Sequence, residues 1–465
     1  MKTSEILTLA GVALSVSSCT FGPKWFAPEM PVPVEFRGAG ATDSSLADLP
    51  WQQVLNDAAL QNLLNDVFNN NRDLESMMHH VEAARRYVTI ARAPLFPWLG
   101  YGASASKGMN QSSGAAVAQM GGTTSAPGSA AINASWELDL WGKTRKEVES
   151  AEASALDAEE QFNDLRISLL RQVACGYLQL IMLDEQLQIA HAAVESYRES
   201  LELFSNQAMG GVADQLQVSS AQAALSSAEA EIPNLESQIA EMENTLSVLA
   251  GRMPGAIKRS GSMRAFVRAS SVPAGIPANV IARRPDIRSA EQQLRAANAD
   301  IGVAIASYFP SISLTGVAGY ASADLTSSLR GKHSGWGIGA NLTGPLFQAG
   351  QLRANEKMKR DAFYAAKASY EQTVLNAMAE ISTTLIQRSK LRLIMGHQEK
   401  AVAAAQESVK LAKARYTQGL SSYYEVLTAQ QSLFPAQTQL AAYRYQYAAC
   451  IPTLYTQLGG GWQTK

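Results

Sequence analysis

Apolar and polar side chains alternate strictly in four stretches of the chain. In the first half Ile132, Ala134, Trp136, Leu138 and Leu140 alternate with Asn133, Ser135, Glu137 and Asp139, and Leu99, Tyr101, Ala103 and Ala105 repeat the pattern more weakly. In the second half Ile312, Leu314, Ala318 and Tyr320 alternate with Ser311, Ser313, Thr315 and Gly319. Trp336, Ile338, Ala340, Leu342 and Leu346 then alternate with Gly335, Gly337, Gly339, Asn341 and Thr343. A period of two predicts strands with one greasy and one polar face. They fall into two pairs, about 98–141 and 310–347, each joined by a loop of small polar residues, 109–128 and 321–334. Strands of about ten residues match those of outer-membrane barrels.

Between the strand pairs the period changes. Small and apolar residues recur at 148, 151, 155, 158, 162, 165, 169, 173, 176, 180, 183, 187, 190, 194, 197, 201 and 204. These steps of three and four form a heptad seam with one stutter at 169–173. No proline interrupts Arg145 to Gln207 and Gly176 is its single glycine, so a rod of about 95 Å is predicted at 1.5 Å per residue. The rod ends at Gly210-Gly211, and a second helix returns from there; Gly419 marks the same turn in the second half. Glycine suits a helix C-terminus where φ turns positive. Pro233 and Pro435 lie within the two returning helices and are expected to bend them. Nearer the start, Leu60, Leu63, Leu64 and Val67 share one helical face, and a helix opening at Asn71-Arg72-Asp73 runs to about Ala93, where Pro94 and Pro97 end it.

The plan is used twice. Residues 72–97 lie without a gap over 285–310, sharing Asp73/Asp286, Ser76/Ser289, Ala83/Ala296, Ala84/Ala297 and Phe96-Pro97/Phe309-Pro310. Around the turns, Gly211, Ala221, Gln222 and Leu225 match Gly419, Ala429, Gln430 and Leu433. A repeat of about 200 residues is a duplicated half-molecule, since solenoid and propeller repeats run to about 20–50.

The N-terminus adds an address. Met1-Lys2 is a short basic region, Ile6 to Val16 an apolar core too short to span a bilayer, and Val16-Ser17-Ser18-Cys19 resembles a bacterial lipobox, in which Cys19 becomes the lipid-modified first residue. Thr20 in place of Asp suggests, by the same resemblance, sorting to the outer membrane. Residues 20–50 are rich in proline, glycine and small polar residues and are expected to form an extended tether. The domain reading is therefore 1–18 signal peptide, 19–50 tether, 51–260 first repeat and 261–465 second repeat. No run of 18 apolar residues follows the signal, so a membrane crossing by this chain would use strands. Four strands cannot close a barrel, whose smallest membrane form has about eight, so copies must combine.

Composition narrows the chemistry. A formal charge of −2 over 465 residues offers no basic stripe for nucleic acid. Cys175 and Cys450 lie in helical patterns far apart and are expected to be small core residues. His79 and His80 are adjacent on a helix and point about 100° apart, so with Met77 and Met78 they do not converge on a metal. The 41 acidic residues are scattered along helix faces with no grouping for hydrolysis. No cofactor, metal or catalytic residue is expected.

Several segments in order carry a family resemblance: Gly22-Pro23 and the tether, Pro50-Trp51 through Asp57 and Leu60, Asp139-Leu140-Trp141-Gly142-Lys143, Gly275 and Pro277 through Arg283-Arg284-Pro285-Asp286-Ile287-Arg288, Tyr308 through Gly316, and Pro345-Leu346-Phe347. In this the chain resembles the lipoprotein branch of the TolC-like outer membrane factors. The resemblance implies a mainly α fold with membrane β: a homotrimer with a twelve-stranded β-barrel in the outer membrane, continued by a long α-helical coiled-coil barrel across the periplasm. It also implies a passive exit duct for small molecules, joined through a periplasmic adaptor to an inner-membrane transporter, most readily of the RND type. The tips Gly211, Val212 and Ala213 and Gly419, Leu420 and Ser421 would then face the adaptor.

In related channels acidic rings after the second tip close the resting pore. The matching positions here are Glu425 and Thr428, and Tyr416 matches an aromatic of the lock that holds the tips together. Thr428 departs from the doubly acidic pattern. A ring of three Glu425 carboxylates would favour cations; a solvated residue on a helix face is the alternative. Two other functions fit parts of the pattern: a duct for secreted proteins, and a coiled-coil adhesin or envelope spacer, which predicts a single barrel segment at one end.

Overall fold

The computed structural model describes residues 21–28, 30, 31, 33, 35–38, 45–105, 108–109, 124–125, 128–211, 214–259, 263, 275, 277–322 and 334–462. The described elements come in two matching series. The first comprises α1 (Ala58–Asn70), α2 (Arg72–Arg92), β1 (Trp98–Ala105), β2 (Gly128–Leu138), α3 (Lys143–Met209) and α4 (Gln215–Leu249). The second comprises α5 (Pro277–Arg283), α6 (Pro285–Ala306), β3 (Ser311–Ser322), β4 (Ser334–Thr343), α7 (Gln351–Thr417) and α8 (Tyr424–Gln457). The rods α3 and α7 are each 67 residues long. A two-residue ladder pairs Gly108–Met109 with Thr124–Ser125.

The chain folds as two compact units, residues 1–28, 81–158 and 290–370 in one, 29–80, 159–289 and 371–465 in the other. The first unit holds the sheet, antiparallel in the order β1-β2-β3-β4. The two halves of the sequence join where β2 pairs β3, from Gly128 opposite Ser322 to Leu138 opposite Ile312. Cross-strand rows keep the expected faces. Tyr101, Ile132, Ala318 and Trp336 form one row, and Leu99, Ala134, Gly316 and Ile338 the next. On the opposite face Glu137, Ser313 and Asn341 align, as do Ser135, Thr315 and Gly339. Trp98 and Val317 depart from the polar character of that face. The apolar face is bare: Tyr101 is 91% exposed and Ile338 83%.

Two strands end earlier than the alternation suggests. Leu140 and Leu346 are expected in strands, but β2 ends at Leu138 and β4 at Thr343. The cause in β2 is Asp139, whose carboxylate accepts from the backbone N–H of Thr144 (3.1 Å) and Arg145 (2.9 Å) and caps α3. Gly344-Pro345 ends β4; Gly344 lies so close to Pro310 that a Cβ on it would sit 2.8 Å from that ring.

In the second unit the core gathers around α1 and the middle of α3. Leu60, Leu63, Leu64 and Val67 are buried as their spacing requires, against Leu169, Val173, Tyr177, Leu246 and Tyr455. Asp57 caps α1 through the Leu60 N–H (2.9 Å) and also accepts from the Tyr177 hydroxyl (3.0 Å). None of the seventeen seam positions of α3 is exposed. Leu170, Ala174 and Leu178 on a second face are buried too, so the middle of α3 packs on more than one stripe. Burial of each such leucine contributes about 1.5–3 kcal/mol. Cys175 and Cys450 are free thiols, and burial pushes that of Cys450 up to about 11. Both α4 and α8 run continuously through Pro233 and Pro435. No helix among the described residues is long and apolar enough to cross a membrane.

Candidate functional site

The two turns are built alike. After α3, Gly211 adopts φ +75° and its N–H bonds the Ala208 carbonyl (3.0 Å). After α7, Gly419 adopts φ +70°, its N–H bonds Tyr416 O (2.9 Å), and the Leu420 N–H reaches back to Arg415 O (2.9 Å). This pair of bonds closes the helix end and requires the left-handed backbone that glycine takes without strain. A Cβ at either glycine would meet open space, so the demand is conformational. Large apolar side chains are bare beside both turns: Met209, Leu216, Leu420 and Tyr424. The Ser421 hydroxyl is buried without a hydrogen-bond partner among the described residues. Val212 and Ala213 lie outside the described residues.

Next to the turns, side chains tie α3 to α7 and α8. The Gln207 amide donates to the Tyr416 hydroxyl at 2.7 Å. Tyr416 meets Tyr423 edge-on at 5.0 Å, and Tyr423 meets Phe204 at 5.4 Å. Deeper in, the buried Gln430 donates to the Ser196 hydroxyl at 2.6 Å, and its side-chain carbonyl accepts from the Ser200 hydroxyl at 3.2 Å. The structure thus brings Tyr416 into a contact between the two halves. Glu425 and Thr428 lie together on the exposed face of α8. The Thr428 hydroxyl is used within its helix, on Tyr424 O (2.9 Å). The Glu425 carboxylate lies 3.6 Å from Arg415 Nε. Arg415 was not singled out in the sequence; opposite charges ten residues apart across a two-helix turn were the available signal.

Arg283-Arg284-Pro285-Asp286-Ile287-Arg288 forms a clasp in the second unit. Arg284 makes a bidentate pair with Asp286 (2.9 and 2.6 Å), reaches Glu380 of α7 (3.2 Å) and donates to Gln457 O at the end of α8 (3.2 Å). Arg283 pairs with Asp48 at 2.6 Å. Arg288 pairs with Glu160 of α3 at 2.6 Å and stacks on Trp462. A polar cleft of about 290 Å³ adjoins it, lined by Asp164, Arg171, Arg284, Asp286 and Glu380 among others. Burial, then the nearby Asp286, holds the Asp164 carboxyl above the ordinary carboxylate range. Burial does the same for Glu160, outweighing Arg288.

The start of the tether is docked in the first unit, while Phe36, Leu46 and Ala47 further along are buried in the core of the second. Phe21 stacks on Phe309 (4.6 Å between centroids), and Phe309 stacks on Trp141 (5.0 Å). Gly22, at φ +130°, lies so close to Gly302 that a Cβ would sit 2.7 Å from its Cα. Cys19 lies outside the described residues. On α2, His79 and His80 are exposed.

The family model for outer membrane efflux proteins matches residues 63–252 and again 276–460, one match to each half. The chain is 33% identical over 470 residues to the antibiotic efflux pump outer membrane protein ArpC of Pseudomonas putida, covering 99% of this chain and 96% of the relative. It is 30% identical to the cation efflux system protein CusC of Escherichia coli, over 97% of this chain and 98% of CusC. A crystal structure of CusC superposes with a TM-score of 0.85, covering 95% of this chain and all of that one. The open-state channel MtrE of Neisseria gonorrhoeae, 26% identical, gives 0.84 over 96% and 99%. The chain belongs to the outer membrane efflux protein family, a family of channels. Its place is the outer membrane.

Proposed function

We propose that this chain is the passive exit duct of a tripartite efflux system. Three copies form it, and an inner-membrane pump, most readily of the RND type, drives export of small molecules through a periplasmic adaptor. The observation that carries the reading is the sheet: four antiparallel strands, apolar on one face and polar on the other, with both edges unpaired. Because β4 runs opposite to β1, the β4 edge of one copy can pair antiparallel with β1 of the next. Closure removes the exposed edges and places the polar face inside. Leu375, Leu393 and Leu411 support the association of copies. They are 58%, 59% and 54% exposed on α7 at intervals of 18 residues, which is five helical turns, so they form one stripe that water would otherwise cover.

The domain division at 18, 50 and 260 belongs to the same proposal, as does lipid modification at Cys19. So does docking of the adaptor at Gly211, Val212 and Ala213 and at Gly419, Leu420 and Ser421, where the bare Met209, Leu216 and Leu420 offer apolar contacts. A spacer with one terminal barrel segment does not suit strands drawn from two separate places into one sheet. A duct for secreted proteins would share every feature named here, and the genomic neighbour encoding the pump separates the two. Light scattering on the detergent-extracted protein should give the mass of three chains; a monomer would remove the duct.

Glu425 is the proposed determinant of ion preference. Three carboxylates around an axis attract cations, and Arg415 at 3.6 Å offsets part of that charge. Both side chains are about half exposed, so the pair is screened and its effect is moderate. In planar bilayers Glu425→Gln should lower cation over anion permeability about two- to fivefold at low salt, and Arg415→Gln should raise it. Unchanged reversal potentials in both variants would remove the assignment.

A further inference from the structure

The turn between β4 and α7 carries the barest apolar pair in the described chain. Leu346 is 104% exposed and Phe347 88%. Leu346 keeps the phase of Trp336, Ile338 and Leu342 just beyond the end of β4, and Phe347 follows it. The backbone holding them is specialised: Ala349 adopts φ +46° and Gly350 φ +86°, a left-handed pair that starts α7 at Gln351.

Cations follow at once. Arg353 and Lys357 are exposed on the first two turns of α7 and make no ion pair among the described residues. The nearby carboxylate, Glu356, is committed to Arg360 at 2.8 Å and to the Tyr308 hydroxyl at 3.1 Å. At the matching place in the first half, Lys143 opens α3 and is exposed; it makes no ion pair within 4 Å among the described residues, and Glu147 one turn on is the carboxylate in its field. Apolar side chains that enter acyl chains, beside cations at headgroup level, are the chemistry of an interface with anionic lipid.

We propose that the helix-side rim of the sheet binds anionic phospholipid: Leu346 and Phe347 enter the leaflet, and Lys143, Arg353 and Lys357 hold the phosphate headgroups. The inference rests on the membrane reading of the sheet. Leu346, in phase with the bare sheet face and with Phe347 beside it, names a bilayer as the occupant, and the exposed cations give its charge.

The test uses the full-length protein reconstituted in nanodiscs of phosphatidylcholine with one-third phosphatidylglycerol, then native mass spectrometry of the lipid it retains. Phosphatidylglycerol should be enriched about three- to tenfold over its bilayer share, less so in high salt. The triple variant Lys143→Gln, Arg353→Gln, Lys357→Gln should return to the bilayer ratio while still inserting. Added inorganic phosphate should not displace the lipid, because the apolar pair contributes to holding it. Insertion with both lipids retained at their bilayer ratio, or enrichment that survives the triple variant, overturns the lipid site alone. Displacement by phosphate reduces it to a free-anion site and overturns it as stated. Failure to enter any bilayer overturns the membrane sheet as well.

Discussion

Gly319→Val should abolish trimer formation while leaving the helical circular dichroism almost unchanged. A Cβ at Gly319 would lie 2.3 Å from Ala130 O and 2.6 Å from Ala131 Cα. Both atoms belong to the backbone of β2, which cannot turn aside as a flexible side chain can. Relief requires parting β2 from β3, the one pairing that joins the two halves of the sheet. Both outer strand pairs would then be hairpins, and isolated two-stranded hairpins are marginal at best. The cross-strand neighbour supplies the control. Gly335 pairs with Gly319, yet a Cβ there meets nothing within 4 Å. Gly335→Ala should therefore assemble normally. Light scattering beside far-ultraviolet dichroism separates the outcomes, and a trimeric Gly319→Val would mean that the two halves do not meet through this pairing.

Removing Arg284 should cost a large part of the stability that any single charge contributes. Its side chain holds Asp286, Glu380 and Gln457 O at once and is only 11% exposed. Arg284→Leu leaves those two carboxylates with Asp164 around one cleft and Arg171 as the remaining cation there. Breaking a fully buried pair from one side costs about 3–5 kcal/mol; with Asp286 29% and Glu380 50% exposed the cost here should be about 2–3 kcal/mol, seen as a melting temperature several degrees lower. The deficit should shrink on acidification. The Asp164 carboxyl already titrates above its unfolded value, so its ionised form opposes folding, and that opposition disappears as pH falls through the folded pKa. Loss of the guanidinium raises that value further and widens the acid rescue. Thermal melts at pH 7 and pH 5 decide: a deficit independent of pH would assign the cost to lost packing. Arg288→Ala, at a more open position, should cost less.

Much of this architecture was legible because its signals are local and periodic. Alternation fixed the faces of all four strands, the α3 seam is unexposed throughout, and Gly211 and Gly419 sit at the turns their residue type demands. Strand ends were not legible. Asp139 continues the alternation as a polar residue, and only the nearby α3 amide groups reveal it as a cap. The second buried face of α3 escaped because Leu170, Ala174 and Leu178 span little more than two helical turns, too short a run to stand out beside the long seam. At the tips, Tyr416 was found by likeness, but its partner Gln207 lies 209 positions away, and nothing in a lone glutamine marks it. The arginine clasp was visible as a motif without its ties, since each tie reaches a different distant segment.

The equality of α3 and α7, 67 residues each, makes rod length a single quantity written twice. Gln207 meets Tyr416, and Ser196 meets Gln430, only while both copies agree. Dropping one heptad from α3 alone would keep its seam in phase yet draw Gln207 back by about 10 Å. The same loss in both rods and in the returning helices α4 and α8 would restore the match. Descendants of this duplication can therefore lengthen or shorten their helical part only by matched edits in both rods and both returning helices, in whole heptads. The two halves are free to diverge in sequence but not in measure.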